Sequence, residues 1–162
     1  MKFGSFVAIL TPFTRNQKID TKALVKHILW QIEQGTEGIV CCGATGEGVL
    51  LSEAEKKRVA QICIETTQKK IPVIVATGMS STQETVRLTE KMQRLGVDGC
   101  LVVTPCYVKA MPKGLVAHYR EVAKVALPVI PYHNPARTAQ RFSAEVFAEI
   151  GEIPGVVALK DS

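Results

Sequence analysis

Six short apolar runs recur roughly 26–35 residues apart along the chain: Phe6–Leu10, Gly38–Cys42, Val73–Ala76, Cys100–Val103, Val129–Ile130 and Val156–Leu159. They are continuous rather than alternating, as strands buried on both faces are. Amphipathic segments of helical period lie between them. Asp20 can cap a helix whose apolar positions include Leu24, Ile28 and Ile32, with Gly35 closing it. Ser52 with Glu55, and Ser81 with Glu84, read as capping boxes. Gly96 ends the third helix, Pro112 suits the first turn of a fourth, and Ser143 can cap a fifth. The pattern is a β-α repeat run five times and followed by a sixth strand, a succession that right-handed βαβ units turn into a parallel sheet.

Two architectures offer such a sheet: an open doubly wound layer and a β/α barrel. The first would be helped by a Gly-rich phosphate turn after the first strand. The chain instead has Thr11-Pro12-Phe13 there, which favours the barrel. A complete (β/α)8 barrel typically needs about 250 residues, and this chain has 162. The expectation is therefore an α/β fold, a (β/α)8 TIM barrel truncated after the sixth strand, with residues 1–162 as one C-terminally incomplete domain.

Composition narrows the function classes. With 46% hydrophobic residues and a mean hydropathy of +0.13 the chain can bury a core. No apolar run approaches the roughly 18–20 residues that span a bilayer, so no membrane partner is expected. Met1-Lys2-Phe3-Gly4-Ser5 shows no cleavage signature. The formal net charge is +5, but basic residues are interspersed with acidic ones, as in Glu53, Glu55, Lys56, Lys57 and Arg58. Without a basic stripe interleaved with aromatics, nucleic acid is not expected as a partner. The five cysteines include the adjacent Cys41 and Cys42, and no CxxC spacing occurs. That argues against a disulfide framework or a zinc site and fits a reducing cytoplasm.

In a parallel β/α protein, functional residues belong at the C-terminal ends of the strands. Those positions carry Gly43-Ala44-Thr45-Gly46-Glu47-Gly48, Thr77-Gly78, Thr104-Pro105-Cys106-Tyr107, Tyr132-His133-Asn134-Pro135-Ala136-Arg137-Thr138 and Lys160-Asp161-Ser162. Lys160 emerges from Val156–Leu159; it is either a strand-end lysine reaching solvent or an amine that attacks a ketone to form a Schiff base. Tyr132 and Tyr107 are core or interface aromatics, or proton shuttles beside that lysine. Arg137 is a surface charge or a bidentate carboxylate clamp. The Gly43–Gly48 segment is a tight turn, or a cradle whose N–H groups and Thr45 hydroxyl hold a small anion. It lacks the GK[ST] ending of a nucleotide loop. His27 and His118 read as packing or surface residues, and His133 has no obvious partner, so no metal site is expected. Cys41 and Cys42 read as buried strand residues, and Cys106 is the one thiol on the rim.

In combination these segments resemble the class I aldolase superfamily that includes dihydrodipicolinate synthase and N-acetylneuraminate lyase. Gly4-Ser5 to Thr11-Pro12-Phe13 resembles its first strand, Gly43-Ala44-Thr45-Gly46-Glu47 its pyruvate-binding loop, and Gly96-Val97-Asp98-Gly99 through Thr104-Pro105 its fourth unit. Asn134-Pro135-Ala136-Arg137-Thr138 and Val157-Ala158-Leu159-Lys160-Asp161-Ser162 resemble its last two signatures. The resemblance implies that Lys160 is the Schiff-base lysine and Tyr132 the proton relay, with Tyr107 reaching a neighbouring subunit's site. It implies that Thr45, with Ala44 beside it, binds the pyruvate carboxylate, and that Arg137 binds that of L-aspartate 4-semialdehyde. The implied reaction is condensation of those two substrates to 4-hydroxy-tetrahydrodipicolinate, in lysine and diaminopimelate biosynthesis. No cofactor or metal is implied, and a homo-oligomer, a dimer of dimers, is. Ala44 departs from the pattern, standing where a threonine hydroxyl would join the relay. Cys106, Ala76 and Ala139 also depart. The alternatives are a pyruvate-dependent aldolase or lyase of keto-deoxy sugar acids or sialic acid, and a non-catalytic remnant. Around Gly48, Val49 and Ser80 the polar residues of lysine-inhibited members are few, so weak or absent lysine feedback is expected.

Overall fold

A computed structural model describes residues 4–162. Met1-Lys2-Phe3, part of the stretch read for a cleavage signature, lies outside the described residues. The chain forms two compact units, one of residues up to Ala76 with Arg94–Asp98, the other of Thr77–Gln93 with Gly99–Ser162.

The first unit carries the parallel strands β1 (Phe6–Ala8), β2 (Gly38–Cys41) and β3 (Val73–Ala76), with Val7 opposite Ile39 and Val40 opposite Ile74. Helix α1 (Thr21–Glu33) starts where Asp20 Oδ1 accepts from the Ala23 N–H at 3.0 Å and ends at Gly35, whose φ of +86° a Cβ would oppose. Leu24 and Ile28 are its buried face. Helix α2 (Glu53–Thr67) opens with the complete capping box: Ser52 Oγ accepts from the Glu55 N–H at 3.3 Å, and Glu55 Oε2 accepts from the Ser52 N–H at 2.8 Å. Val59, Ala60, Ile62 and Cys63 of this helix are buried, as are Ile39, Val73 and Ile74 of the strands, apolar surface withdrawn from water.

The second unit carries β4 (Gly99–Val103), β5 (Val129–His133) and β6 (Lys160–Asp161), again parallel. Its helices are α4 (Pro112–Ala123), the one-turn α5 (Pro135–Thr138), α6 (Ala144–Gly151) and most of α3 (Thr82–Leu95). Pro112 occupies the first turn of α4, as the sequence leads one to expect. Ser81 Oγ accepts from the Glu84 N–H at 3.4 Å at the start of α3. Ser143 is the N-cap of α6 without a side-chain bond to the helix backbone. Tyr119 is fully buried and satisfies its hydroxyl by donating to the Val102 carbonyl at 2.8 Å. The strand–helix succession is that of a (β/α)8 barrel, with six of its parallel strands present.

Two expectations need correcting. The sixth strand is not Val156–Leu159 but Lys160–Asp161, and Val156 contributes one isolated bridge to Val129. Val129 and His133 both direct backbone bonds towards the last segment: Val157 N–H donates to Val129 O at 3.0 Å and Ser162 N–H to His133 O at 3.0 Å. Alternation puts Pro131 on that same side, and proline has no N–H to give. The ladder fails there and slips by one residue, from Val129 opposite Val156 to Tyr132 opposite Lys160. The second correction is α5, a single turn started by Pro135 that no apolar period announces.

Candidate active site

The ladder that resumes after the slip builds a polar cluster in the second unit. Tyr132 and Lys160 are partners across β5 and β6, so their side chains leave the sheet on the same face. Lys160 Nζ lies 4.2 Å from the centroid of the Tyr132 ring, in cation–π range. The Asn134 Nδ2 amide donates to Tyr132 Oη at 2.6 Å. Burial pushes the Tyr132 phenol up, but hydrogen bonds from Ser162 and Asn134 and the charge of Lys160 outweigh it and hold the phenol below its ordinary value. The arrangement can move a proton at Oη close to an amine. Thr104, just past β4, donates its N–H to Tyr132 O at 3.0 Å, while its buried hydroxyl finds no partner among the described residues.

His133, which the sequence leaves without a partner, has one. Its Nδ1 lies 2.8 Å from Asp161 Oδ1, and its Nε2 accepts from the Phe142 N–H at 3.3 Å. With Nε2 accepting, the ring proton sits on Nδ1 and is donated to Asp161. The ring is buried against Phe147, centroids 4.8 Å apart. Asn134 and the His133–Asp161 pair are the polar residues that sequence reasoning missed. The available signal was their position directly beside Tyr132 and Lys160.

Arg137 stands exposed on α5, where its N–H donates to Asn134 O at 3.0 Å. Tyr107 is fully exposed with φ +70°, a left-handed backbone uncommon for a side chain of this size. The structure thus brings Tyr132 and Lys160 together and holds Tyr107 out in solvent. The loop that carries Tyr107 is latched by Gln140, whose Oε1 accepts from the Ala110 N–H at 3.0 Å while its Nε2 donates to the Ala110 carbonyl. Cys106 is partly exposed beside Ser80, which donates to the Cys106 carbonyl at 2.9 Å.

In the first unit, Ala44 and Thr45 are exposed on the turn after β2. The turn is closed by Gly48 N–H donating to Gly43 O at 3.0 Å and Glu47 N–H to Ala44 O at 3.1 Å. Thr11 Oγ1 donates to Gly46 O at 2.7 Å. A Cβ on Gly48 would lie 1.7 Å from the Cys42 carbonyl oxygen, so glycine is required by close approach alone. The N–H groups of Glu47 and Gly48 are consumed inside the turn. Cys41 and Cys42 are buried, as expected, with the Cys41 thiol raised by hydrogen bonds with Cys42 and Cys63 and by burial. Among the described residues no group of three or more His, Cys, Asp or Glu side chains is placed to hold a metal ion, and no helix is long and apolar enough to cross a membrane.

Residues 1–162 match the model of the dihydrodipicolinate synthetase family. A 4-hydroxy-tetrahydrodipicolinate synthase of Thermodesulfovibrio yellowstonii is 44% identical over 160 residues, 98% of this chain and 55% of that protein. One from Syntrophus aciditrophicus is also 44% identical, with the same coverage. Among solved structures, the chloride-inhibited dihydrodipicolinate synthase of Acinetobacter baumannii in complex with pyruvate superposes with a TM-score of 0.96 at 42% identity, over 98% of this chain and 55% of its own. The chain thus spans about 55% of the length of the curated relatives it matches.

Proposed function

Since this chain belongs to the dihydrodipicolinate synthetase family, we propose that it carries the imine-forming part of a 4-hydroxy-tetrahydrodipicolinate synthase. The observation that carries this reading is the placement of Lys160 Nζ 4.2 Å from the Tyr132 ring, on adjoining strand ends. In its neutral form the Lys160 amine attacks the C2 carbonyl of pyruvate. The carbinolamine loses water to give an imine, and loss of a C3 proton gives an enamine. The enamine carbon then attacks the aldehyde of L-aspartate 4-semialdehyde. The amino group of that substrate next attacks the imine carbon, which closes the ring and frees Lys160, so one water leaves overall. Tyr132 is the group that gives and takes protons in these steps.

The remaining roles follow the family resemblance. Thr45, with Ala44 beside it, holds the pyruvate carboxylate. Arg137 pairs with the carboxylate of the second substrate. Tyr107, fully exposed here, reaches the site of a neighbouring copy in a homo-oligomer of the dimer-of-dimers kind. Ala44 favours one second reading, a pyruvate-dependent aldolase of keto-deoxy sugar acids or sialic acid. A substrate panel separates the two, because only the synthase consumes aspartate semialdehyde.

Incubation with pyruvate, reduction with borohydride and peptide mapping test the proposal. The expected result is a reduced adduct on Lys160 that is lost in K160A. Absence of an adduct from the unaltered chain would overturn it.

A further inference from the structure

Asn134 sits at the N-cap of α5, where an asparagine side chain ordinarily accepts from a backbone N–H of the first turn. Here it makes no such bond. Pro135 behind it keeps its backbone out of the helical region, at φ −140° and ψ 81°, and the buried side chain turns back to Tyr132, where Nδ2 lies 2.6 Å from Oη. We propose that Asn134 is the positioning residue of Tyr132, an amide that fixes the direction of its phenolic proton. The inference rests on the reading of Lys160 as the imine-forming lysine and Tyr132 as its proton carrier.

The chemistry follows from the donor inventory. An amide NH₂ donates and has no lone pair to accept with. Its bond occupies one lone pair of Oη, so the phenolic hydrogen points away from Asn134. A proton leaving Tyr132 therefore cannot pass to Asn134. That leaves Lys160, whose Nζ lies 4.2 Å from the ring centroid, and Ser162, the other two groups that act on the phenol, as its exits. A threonine or serine hydroxyl in the same place could accept a proton as well as give one; the amide makes the path one-sided. The same bond favours the phenolate, in keeping with the lowered phenol. Asn134 adds no group to the reacting atoms. It aims one.

Two variants test this: N134D, nearly isosteric and an acceptor at neutral pH, and N134L, of similar size without polar atoms. Circular dichroism and the melting temperature select the variants that retain the fold. Alkaline ultraviolet titration, with Y132F identifying the Tyr132 signal, reads the contact. The rate of borohydride-trapped pyruvate adduct on Lys160 against pH reads the role. The expected result is a Tyr132 titration moved to higher pH in both variants and a trapping rate lowered roughly tenfold, a fraction of the about 10²–10⁴ that general acid–base catalysis contributes. The basic limb of the trapping profile should move with the titration. A Tyr132 titration unmoved by both variants overturns the inference, and so does a moved titration with trapping unchanged. No adduct on the unaltered chain is a different result: it overturns the imine reading itself.

Discussion

His133 and Asp161 are joined, Nδ1 to Oδ1, at 2.8 Å, one step along the ladder from the pair Tyr132 and Lys160. Because β6 is only two residues long, this side-chain bond adds a second tie to the backbone bonds that hold Lys160 in register. The histidine is 6% exposed and the aspartate 68%, so the two ends respond differently to substitution. H133F strands the Phe142 N–H without its acceptor and should cost about 1–3 kcal/mol. D161N keeps an acceptor oxygen and should stay within about 0.5 kcal/mol. Urea denaturation midpoints check both, and equal losses would count against the clamp.

Acid should destabilise the protein through His118. Its Nδ1 lies 2.9 Å from Thr82 Oγ1, its Nε2 is buried without a partner among the described residues, and burial pulls it from 6.5 down to about 4. Since the folded value lies below the unfolded one, the unfolded chain binds more protons between those two pH values. Stability is therefore unaffected by this group above about pH 6.5 and falls as the pH drops towards 4, by up to about 3 kcal/mol. Denaturation curves at pH 7 and pH 5 should show the loss, and H118L should flatten that slope.

Two glycines of one turn should behave oppositely. G48A places a Cβ 1.7 Å from the Cys42 carbonyl, whereas a Cβ at Gly43 meets nothing within 4 Å. The expected losses are above about 3 kcal/mol for G48A, or failure to fold, and within about 0.5 kcal/mol for G43A. Thermal melts of the two variants decide it.

Gln140 latches the loop of Tyr107 through both polar atoms of its amide. In Q140A the Ala110 amide loses its acceptor, and its hydrogen exchange should quicken at least tenfold with global stability lowered by only about 1 kcal/mol. Exchange measured by mass spectrometry on peptides covering residues 107–111 checks this. Unchanged exchange would mean the latch is not what orders the loop.

The strands that the residues reveal best are β2, β3 and β4, whose near-continuous burial leaves an uninterrupted apolar run. Helix starts at Asp20, Ser52 and Pro112 are legible for a similar reason, since each is a local bond or a fixed φ. The sixth strand misleads. Val156–Leu159 is apolar, yet its pairing is decided by which side of β5 Pro131 faces, and that depends on register set elsewhere. Helix α5 is too short to show a period. In the site, Lys160 and Tyr132 stand out as strand-end residues. The partners of His133 and Asn134 do not, because a hydrogen bond across 28 residues, or one turning back across two, leaves no spacing rule to read.

The turn after β2 divides its labour by position. Gly46 and Gly48 are buried and fixed by backbone neighbours, with Thr11 tying down the carbonyl of the first, while Ala44 and Thr45 face outward. Shape and chemistry are thereby uncoupled: the outward pair can be exchanged for other side chains while the loop keeps its course. A lineage working from this scaffold can change the side chain at position 44 by single steps that leave folding untouched, and an engineer introducing a hydroxyl with A44T inherits the same freedom.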